Sequence, residues 1–198
     1  MVSLTENEAR TIDFLIRNFS KEYNINQTSR ELKLSPRGIF KILKKLEKKN
    51  YLVSNKQGNN IFYKINYNSE EALDVCKFVL SEKKITPFLR ALIRDLERLK
   101  EATEIAILFG SILTKEQEAR DIDLLLIFDE KQFRRVESMI KDINTIRSRK
   151  IHAVYQSRGD FIANIKKRDK LIIEEIKTGI ILWGRDIFLE AVKNEQNR

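Results

Sequence analysis

The second half of the chain contains the sequence Leu108-Phe109-Gly110-Ser111 and, after nine intervening residues, Asp121-Ile122-Asp123-Leu124-Leu125-Leu126-Ile127. The apolar runs at 105–109 and 122–128 have the length of strands, and continuous apolar runs are typical of strands buried on both faces of a sheet. Outward from these runs, helical periodicity covers 133–146 and 161–177, and strand-like runs occupy 151–155 and 180–183. This half therefore predicts a domain of strands and helices built around a buried sheet.

Two aspartates, Asp121 and Asp123, interrupt the second apolar run. Residues two apart on a strand face the same side, so their carboxylates project together. Paired carboxylates repel each other unless cations hold them, and a pair of divalent cations about 4 Å apart serves this purpose in phosphoryl chemistry. The pattern predicts that Asp121 and Asp123 bind Mg²⁺, or Mn²⁺ in its place.

The Gly-Ser pair lies where the preceding strand ends. Gly110 allows the backbone to approach a phosphate closely, and Ser111 offers an amide and a hydroxyl at the expected start of a helix. We expect both residues to contact the phosphates of a nucleotide.

These residues resemble the nucleotidyltransferase superfamily that includes DNA polymerase beta, and within it the small stand-alone domains called minimal nucleotidyltransferases. In that family a Gly-Ser turn and an Asp-x-Asp strand bind a nucleoside triphosphate and two metal ions. The resemblance covers roughly 88–192. It implies a small nucleotidyltransferase-like α/β domain with a mixed sheet, a nucleoside triphosphate ligand, and catalytic roles for Asp121 and Asp123.

Two positions depart from the family pattern. The family often has a second glycine four residues after the serine, where this chain has Lys115, which would add a positive charge to the nucleotide-binding loop. The third carboxylate of the family usually lies on the next strand, and the aligned residue here is His152. Imidazole can bind a metal ion or accept a proton, so His152 is a candidate catalytic residue, and the missing acid leaves catalysis itself open.

The positive charge of the protein is concentrated in its first half. Formal net charge is +9, and residues 27–64 contain ten basic side chains against two acidic ones. A local basic surface of this kind indicates a nucleic-acid interface.

Three predicted helices, over about 5–19, 28–32 and 36–49, precede a hairpin of the runs 51–53 and 61–65. This order resembles a winged helix-turn-helix domain over roughly 4–67. The third helix has Ile39, Leu43 and Leu46 inward, with Ile42 and Phe40 flanking them. The resemblance implies binding of double-stranded DNA, with a set of candidate contacts on the third helix and on the hairpin that forms the wing: Arg37, Lys41, Lys44, Lys45, Lys48, Lys56 and Asn59.

The sequence thus predicts an α+β protein with a winged helix-turn-helix domain at 1–84 and a nucleotidyltransferase-like domain at 85–198. No apolar run reaches the roughly 20 residues of a membrane helix, and the N-terminus lacks a signal-peptide core, so we expect a cytoplasmic protein without a membrane partner.

Two functions fit these features. The first is an enzyme that transfers a nucleoside monophosphate from Mg²⁺-bound triphosphate to a hydroxyl of a protein or of a nucleic acid such as RNA, with the winged helix choosing the location. The second is a DNA-binding transcription regulator whose transferase-like domain has lost catalysis and serves as a nucleotide sensor or as the platform of a homodimer.

Overall fold

The computed structural model describes residues 3–81 and 85–196. Contacts group the described residues into two units, the first of residues 3–81 with residue 196 and the second of residues 85–195. The predicted boundary between 84 and 85 falls at the segment 82–84, which lies outside the described residues. Among the described helices, none combines the length and apolar character of a membrane span.

The described residues of the first unit form four helices and three strands. Their bounds are α1 Glu6–Arg17, β1 Tyr23–Asn24, α2 Ile25–Leu32, α3 Pro36–Lys48, β2 Leu52–Gln57, β3 Asn60–Ile65 and α4 Glu70–Ser81. The three strands form one antiparallel sheet in the order β1-β3-β2. The hairpin of β2 and β3 follows α3 and belongs to the small sheet. Three helices followed by such a hairpin are the winged-helix arrangement, so the predicted fold class is confirmed for this half.

Side-chain caps explain where these helices begin. Thr5 caps α1 and forms a reciprocal capping box with Glu8, and Ser35 followed by a proline starts α3. The second helix begins three residues before the predicted start at 28: Asn24 accepts a hydrogen bond from the amide of Gln27, and α2 begins at Ile25. An Asn-x-x-Gln capping box therefore turns a polar segment into a helix start.

The described residues of the second unit form five α-helices and four strands. Their bounds are α5 Pro87–Leu96, β4 Ile105–Phe109, β5 Asp121–Phe128, α6 Phe133–Ile146, β6 Lys150–Ser157, α7 Arg158–Lys167, α8 Lys170–Thr178, β7 Ile180–Trp183 and α9 Arg185–Gln196. The sheet order is β6-β5-β4-β7, with β5 and β6 parallel and the other pairs antiparallel. The predicted mixed sheet is confirmed.

Both faces of this sheet are covered. Ala106, Leu108, Leu124 and Leu126 belong to an apolar core that includes residues of α5 and α6. Each fully buried Leu of this kind contributes about 1.5–3 kcal/mol. The opposite face, which we call the site face, presents Ile107, Leu125 and Asp123, because cross-strand partners in register point the same way.

The predicted single helix at 161–177 is two helices. Arg168 adopts a left-handed conformation with φ 55° and ends α7, and the side chain of Asp169 caps α8 by accepting hydrogen bonds from the amides of Leu171 and Ile172. Apolar residues keep their helical spacing across the break, so the sequence pattern did not reveal that a second helix begins there. The end of α8 lies on the site face, because a Cβ placed on Gly179 would lie 2.6 Å from Cγ2 of Ile107.

Candidate cation site and nucleic-acid surface

Asp121, Asp123 and His152 converge on the site face of the second unit. The parallel register places Asp123 beside His152. Each of the three side chains offers one ligand atom, and these atoms all lie within 4.8 Å of one another. Nδ1 of His152 lies 3.2 Å from Oδ2 of Asp121, and 65% of the imidazole is exposed. The strand pairing therefore brings together the three residues that the sequence predicted as catalytic.

Gly110 closes this group on the side of β4. Its φ is +80°, and a Cβ added there would lie 2.0 Å from Oδ2 of Asp123. No other residue type fits this position without moving the carboxylate, because real Cβ atoms do not approach so closely and L-residues avoid this backbone region. The predicted close approach at Gly110 is to the aspartate itself.

The segment after Gly110 differs from the expected helix. Ser111–Leu113 is a single 3-10 turn, and the carbonyl of Ser111 accepts hydrogen bonds from the amides of Thr114 and Lys115. A single 3-10 turn offers fewer aligned amides than an α-helix. Any phosphate contact at this position would therefore come from Ser111 itself, which is exposed.

Lys115 is exposed, and its ammonium pairs with Glu118 at 3.8 Å. The loop that carries it is held from behind by Arg149, whose guanidinium donates to the carbonyl oxygens of Glu116 and Gln117 and lies over the Phe88 ring. No contact among the described residues joins Lys115 to the aspartates. Its role toward a nucleotide stays a prediction.

The charges of the site are unbalanced. Burial and the neighbouring charge of Asp121 raise the pKa of Asp123, and His152 opposes that rise. A carboxylate whose pKa is raised by burial and a like charge is stabilised by a bound cation. The same group of side chains therefore favours binding of positive charge.

Glu175 is a residue of this region that the sequence analysis missed. It lies on α8, its Oε2 is buried without a hydrogen-bond partner, and burial, Asp169 and Asp123 raise its pKa to about 7. A signal was present in the sequence: Glu175 follows Ile172 by three residues and precedes Ile176, so a helical projection places it beside the buried stripe of α8.

The donor set fits a hard divalent cation. Carboxylate oxygens are the ligands that Mg²⁺ and Mn²⁺ prefer, and an imidazole nitrogen is acceptable to Mn²⁺. Asp121 and Asp123 are the residues that would hold it, with the imidazole of His152 beside them.

The first unit presents its basic surface along α3. Arg37, Lys41 and Lys48 are exposed and succeed one another along one side of the helix. Within residues 3–81, none of these three side chains forms an ion pair. Phe40, three residues before the buried Leu43, is 44% exposed at the edge of this surface.

Two of the predicted DNA contacts have partners within the fold. Nζ of Lys45 lies 2.5 Å from Oε1 of Glu8, whose side chain is only 3% exposed. Nζ of Lys44 lies 2.8 Å from Oε2 of Glu47. The other carboxylate oxygen of Glu47, Oε1, accepts a hydrogen bond from the hydroxyl of Ser54 on β2. Lys45 in particular compensates a buried charge, so it serves stability as well as any contact with DNA.

The hairpin of β2 and β3 forms the wing. Its turn is tighter than predicted, because Lys56 and Gln57 belong to β2 and pair with β3. Gly58 turns the chain with φ +58°, and Lys56 and Asn59 are exposed at the tip.

Residues 92–186 match the family model described as Polymerase beta, Nucleotidyltransferase. This segment contains β4, the Gly-Ser turn, β5 and β6, and thus every residue of the site described above. The resemblance stated for the sequence, a winged helix joined to a nucleotidyltransferase domain, is confirmed. A search of curated proteins found no match.

The solved structures similar to this chain include ZitR of Lactococcus lactis, a zinc-responsive MarR family member, at 22% identity over 50% of this chain and 76% of that chain, with a TM-score of 0.32. The wild-type ZitR complex with DNA is 20% identical over 50% of this chain and 75% of that chain, with a TM-score of 0.33. The winged-helix assignment made here rests on the helix and strand order of this chain itself.

Proposed function

We propose, for a chain that carries a polymerase beta-type nucleotidyltransferase domain after a winged helix, that the second unit binds a nucleoside triphosphate with Mg²⁺ or Mn²⁺. It transfers the nucleoside monophosphate to a hydroxyl group of a protein or nucleic acid. The first unit binds double-stranded DNA and places the reaction. The observation that supports this proposal most strongly is the convergence of Asp121, Asp123 and His152 beneath Gly110.

The transfer forms a bond between the acceptor oxygen and the α-phosphorus. The bond from the α-phosphorus to the bridging oxygen breaks, pyrophosphate leaves with that electron pair, and the acceptor loses a proton. A divalent cation at the aspartates would neutralise phosphate charge and polarise the phosphoryl group.

The residues of the chain have distinct parts in this proposal. Asp121 and Asp123 hold the cation, and Gly110 keeps space for the Asp123 carboxylate. Nδ1 of His152 lies 3.2 Å from Oδ2 of Asp121, so the tautomer with its proton on Nδ1 would donate to that carboxylate and leave Nε2 to accept the proton of the acceptor hydroxyl. Ser111 and Lys115 contact the phosphates.

A second function, a DNA-binding regulator that senses a nucleotide without transferring it, is favoured by one observation. The strand position where a third carboxylate is expected holds His152, so the site has one negative charge fewer. Binding would then outlast chemistry, because the phosphates themselves help to hold a cation and a missing carboxylate affects activation of the acceptor most.

A transfer assay tests the enzyme proposal. The full chain is incubated with α-phosphate-labelled triphosphates, Mg²⁺ or Mn²⁺, and protein or RNA acceptors. Label in the acceptor that is lost in Asp123→Asn supports transfer. Triphosphate binding with no label in any acceptor would favour the sensor.

A further inference from the structure

One acidic side chain outside the converging group lies on the same side of the sheet. Asp123 projects from the site face, where Phe109 of β4 is its partner in register. Ile107 lies two residues before Phe109 on β4 and faces the same side. A Cβ placed on Gly179 would lie 2.6 Å from Cγ2 of Ile107 and 2.9 Å from the carbonyl oxygen of Leu108, so the end of α8 packs closely against β4. Glu175 is one turn earlier on this helix, and its carbonyl accepts from the amide of Gly179.

The Glu175 side chain is unsatisfied within its own surroundings. Oε2 is buried and has no hydrogen-bond partner, which is uncommon for a polar atom in a folded protein. The charged groups that act on it are Asp169 and Asp123, and both are negative. Such a group destabilises the cation-free protein, since burial and like charges both oppose its ionised form.

We infer that Glu175 is a positioning residue of the cation site, whose carboxylate adds negative charge behind Asp123 and strengthens the binding of a divalent cation without ligating it. This inference rests on the proposed function, because it requires that Asp121 and Asp123 bind the cation. β6 has His152 where the family has a carboxylate, so it provides one negative charge fewer. Glu175 supplies part of that charge from α8. Residues that support metal ligands from behind commonly change metal affinity by one to two orders of magnitude.

The test compares Glu175→Gln with Glu174→Gln in the full chain. Glu174 is the preceding residue of α8 and is exposed, so its substitution controls for the loss of one charge on this helix. Mn²⁺ affinity is measured by paramagnetic resonance of the free ion near pH 8, where the Glu175 carboxyl is ionised. We expect about tenfold weaker binding for Glu175→Gln and unchanged binding for Glu174→Gln.

The melting temperature without cation distinguishes positioning from a structural role. Removing a buried unpartnered carboxylate should preserve or raise it, whereas the loss of a structural residue would lower both stability and affinity. Mn²⁺ binding equal to the wild type, or a fall in stability together with affinity, would overturn the inference. If Glu175→Gln does not fold, Glu175→Asp keeps the charge but shortens its reach, and unchanged Mn²⁺ affinity in that variant would equally overturn it.

The variant Asp121→Asn with Asp123→Asn separates this inference from the proposed function. Wild-type protein that binds no Mn²⁺, or a double variant that binds it equally well, contradicts the proposed function. Loss in the aspartate variant with full binding in Glu175→Gln contradicts only the role of Glu175.

Discussion

Gly110 and Asp123 lie so close that a methyl group on the glycine would sit 2.0 Å from the carboxylate oxygen Oδ2. The turn after β4 and the Asp-x-Asp segment of β5 therefore form one unit of structure. This contact explains physically why a glycine precedes the serine, because the space beside its Cα is taken by a side chain of the candidate cation site.

Gly110→Ala should therefore abolish Mg²⁺-dependent triphosphate binding. The added Cβ must displace the Asp123 carboxylate, and the positive φ adds backbone strain of order 1–3 kcal/mol. Binding calorimetry and thermal melting measure the two effects.

Gly58→Ala is the matched control. Gly58 also has a positive φ, +58°, but a Cβ there meets nothing within 4 Å. It should lower stability by about 1–2 kcal/mol and leave triphosphate binding unchanged. Full binding in Gly110→Ala would show that the carboxylate position is not required.

The pH dependence of stability gives a separate test for Glu175. Its pKa is raised to about 7 from 4.5, so the folded state holds a proton that the unfolded state releases between these values. Stability from this group is full below pH 4.5 and is lost as pH rises toward and past 7. Glu175→Gln should thus melt several degrees higher than the wild type near pH 8, and at the same temperature near pH 4.5. A difference of equal size at both pH values would contradict the assignment.

The strands of the second unit could be predicted from sequence because their apolar runs are buried on both faces. The alignment of His152 with the third acid of the family agrees with the register of β5 and β6, in which Asp123 and His152 are partners. Glu175 could not be found in this way, because its approach to the site depends on how α8 packs against β4. The caps of α8 at Asp169 and of α2 at Asn24 were not predicted. A polar cap residue leaves the apolar pattern of the sequence unchanged, so the pattern does not show that a helix begins there.

Charge reversal on α3 should separate DNA binding from folding. Lys41→Glu with Lys48→Glu should abolish retardation of duplex DNA at low salt and keep the melting temperature, because both side chains are exposed and without ion pairs in the described part of the first unit. Milder replacement of both by Gln should lower the slope of log affinity against log salt by about 2.

Lys45→Ala should instead lower stability by about 1–3 kcal/mol. Although burial raises it, the pKa of Glu8 is lowered overall by Lys45 and by the Thr5 amide, so this carboxylate is charged in the fold and would lose its partner. Thermal melting of Lys45→Ala beside Lys48→Ala checks this. Equal melting temperatures would mean that the Lys45–Glu8 pair contributes nothing.

His152→Asp tests the missing carboxylate. If the position aligns with the third acid of the family, the variant should transfer label faster than the wild type, which we expect to be slow with generic acceptors. Initial rates with Mg²⁺ and with Mn²⁺ measure this. Robust wild-type transfer that disappears in His152→Asp would contradict this expectation and show that a carboxylate cannot replace the imidazole in the reaction.

The most direct test of the account is calorimetry of a non-hydrolysable nucleoside triphosphate with and without Mg²⁺, in the wild type and in Asp121→Asn with Asp123→Asn. The double variant keeps the side-chain shape and removes two like charges, so its melting temperature should not fall. The account predicts wild-type binding that requires Mg²⁺ and is lost in the variant. Undiminished binding in the variant, or no binding in the wild type, would contradict it.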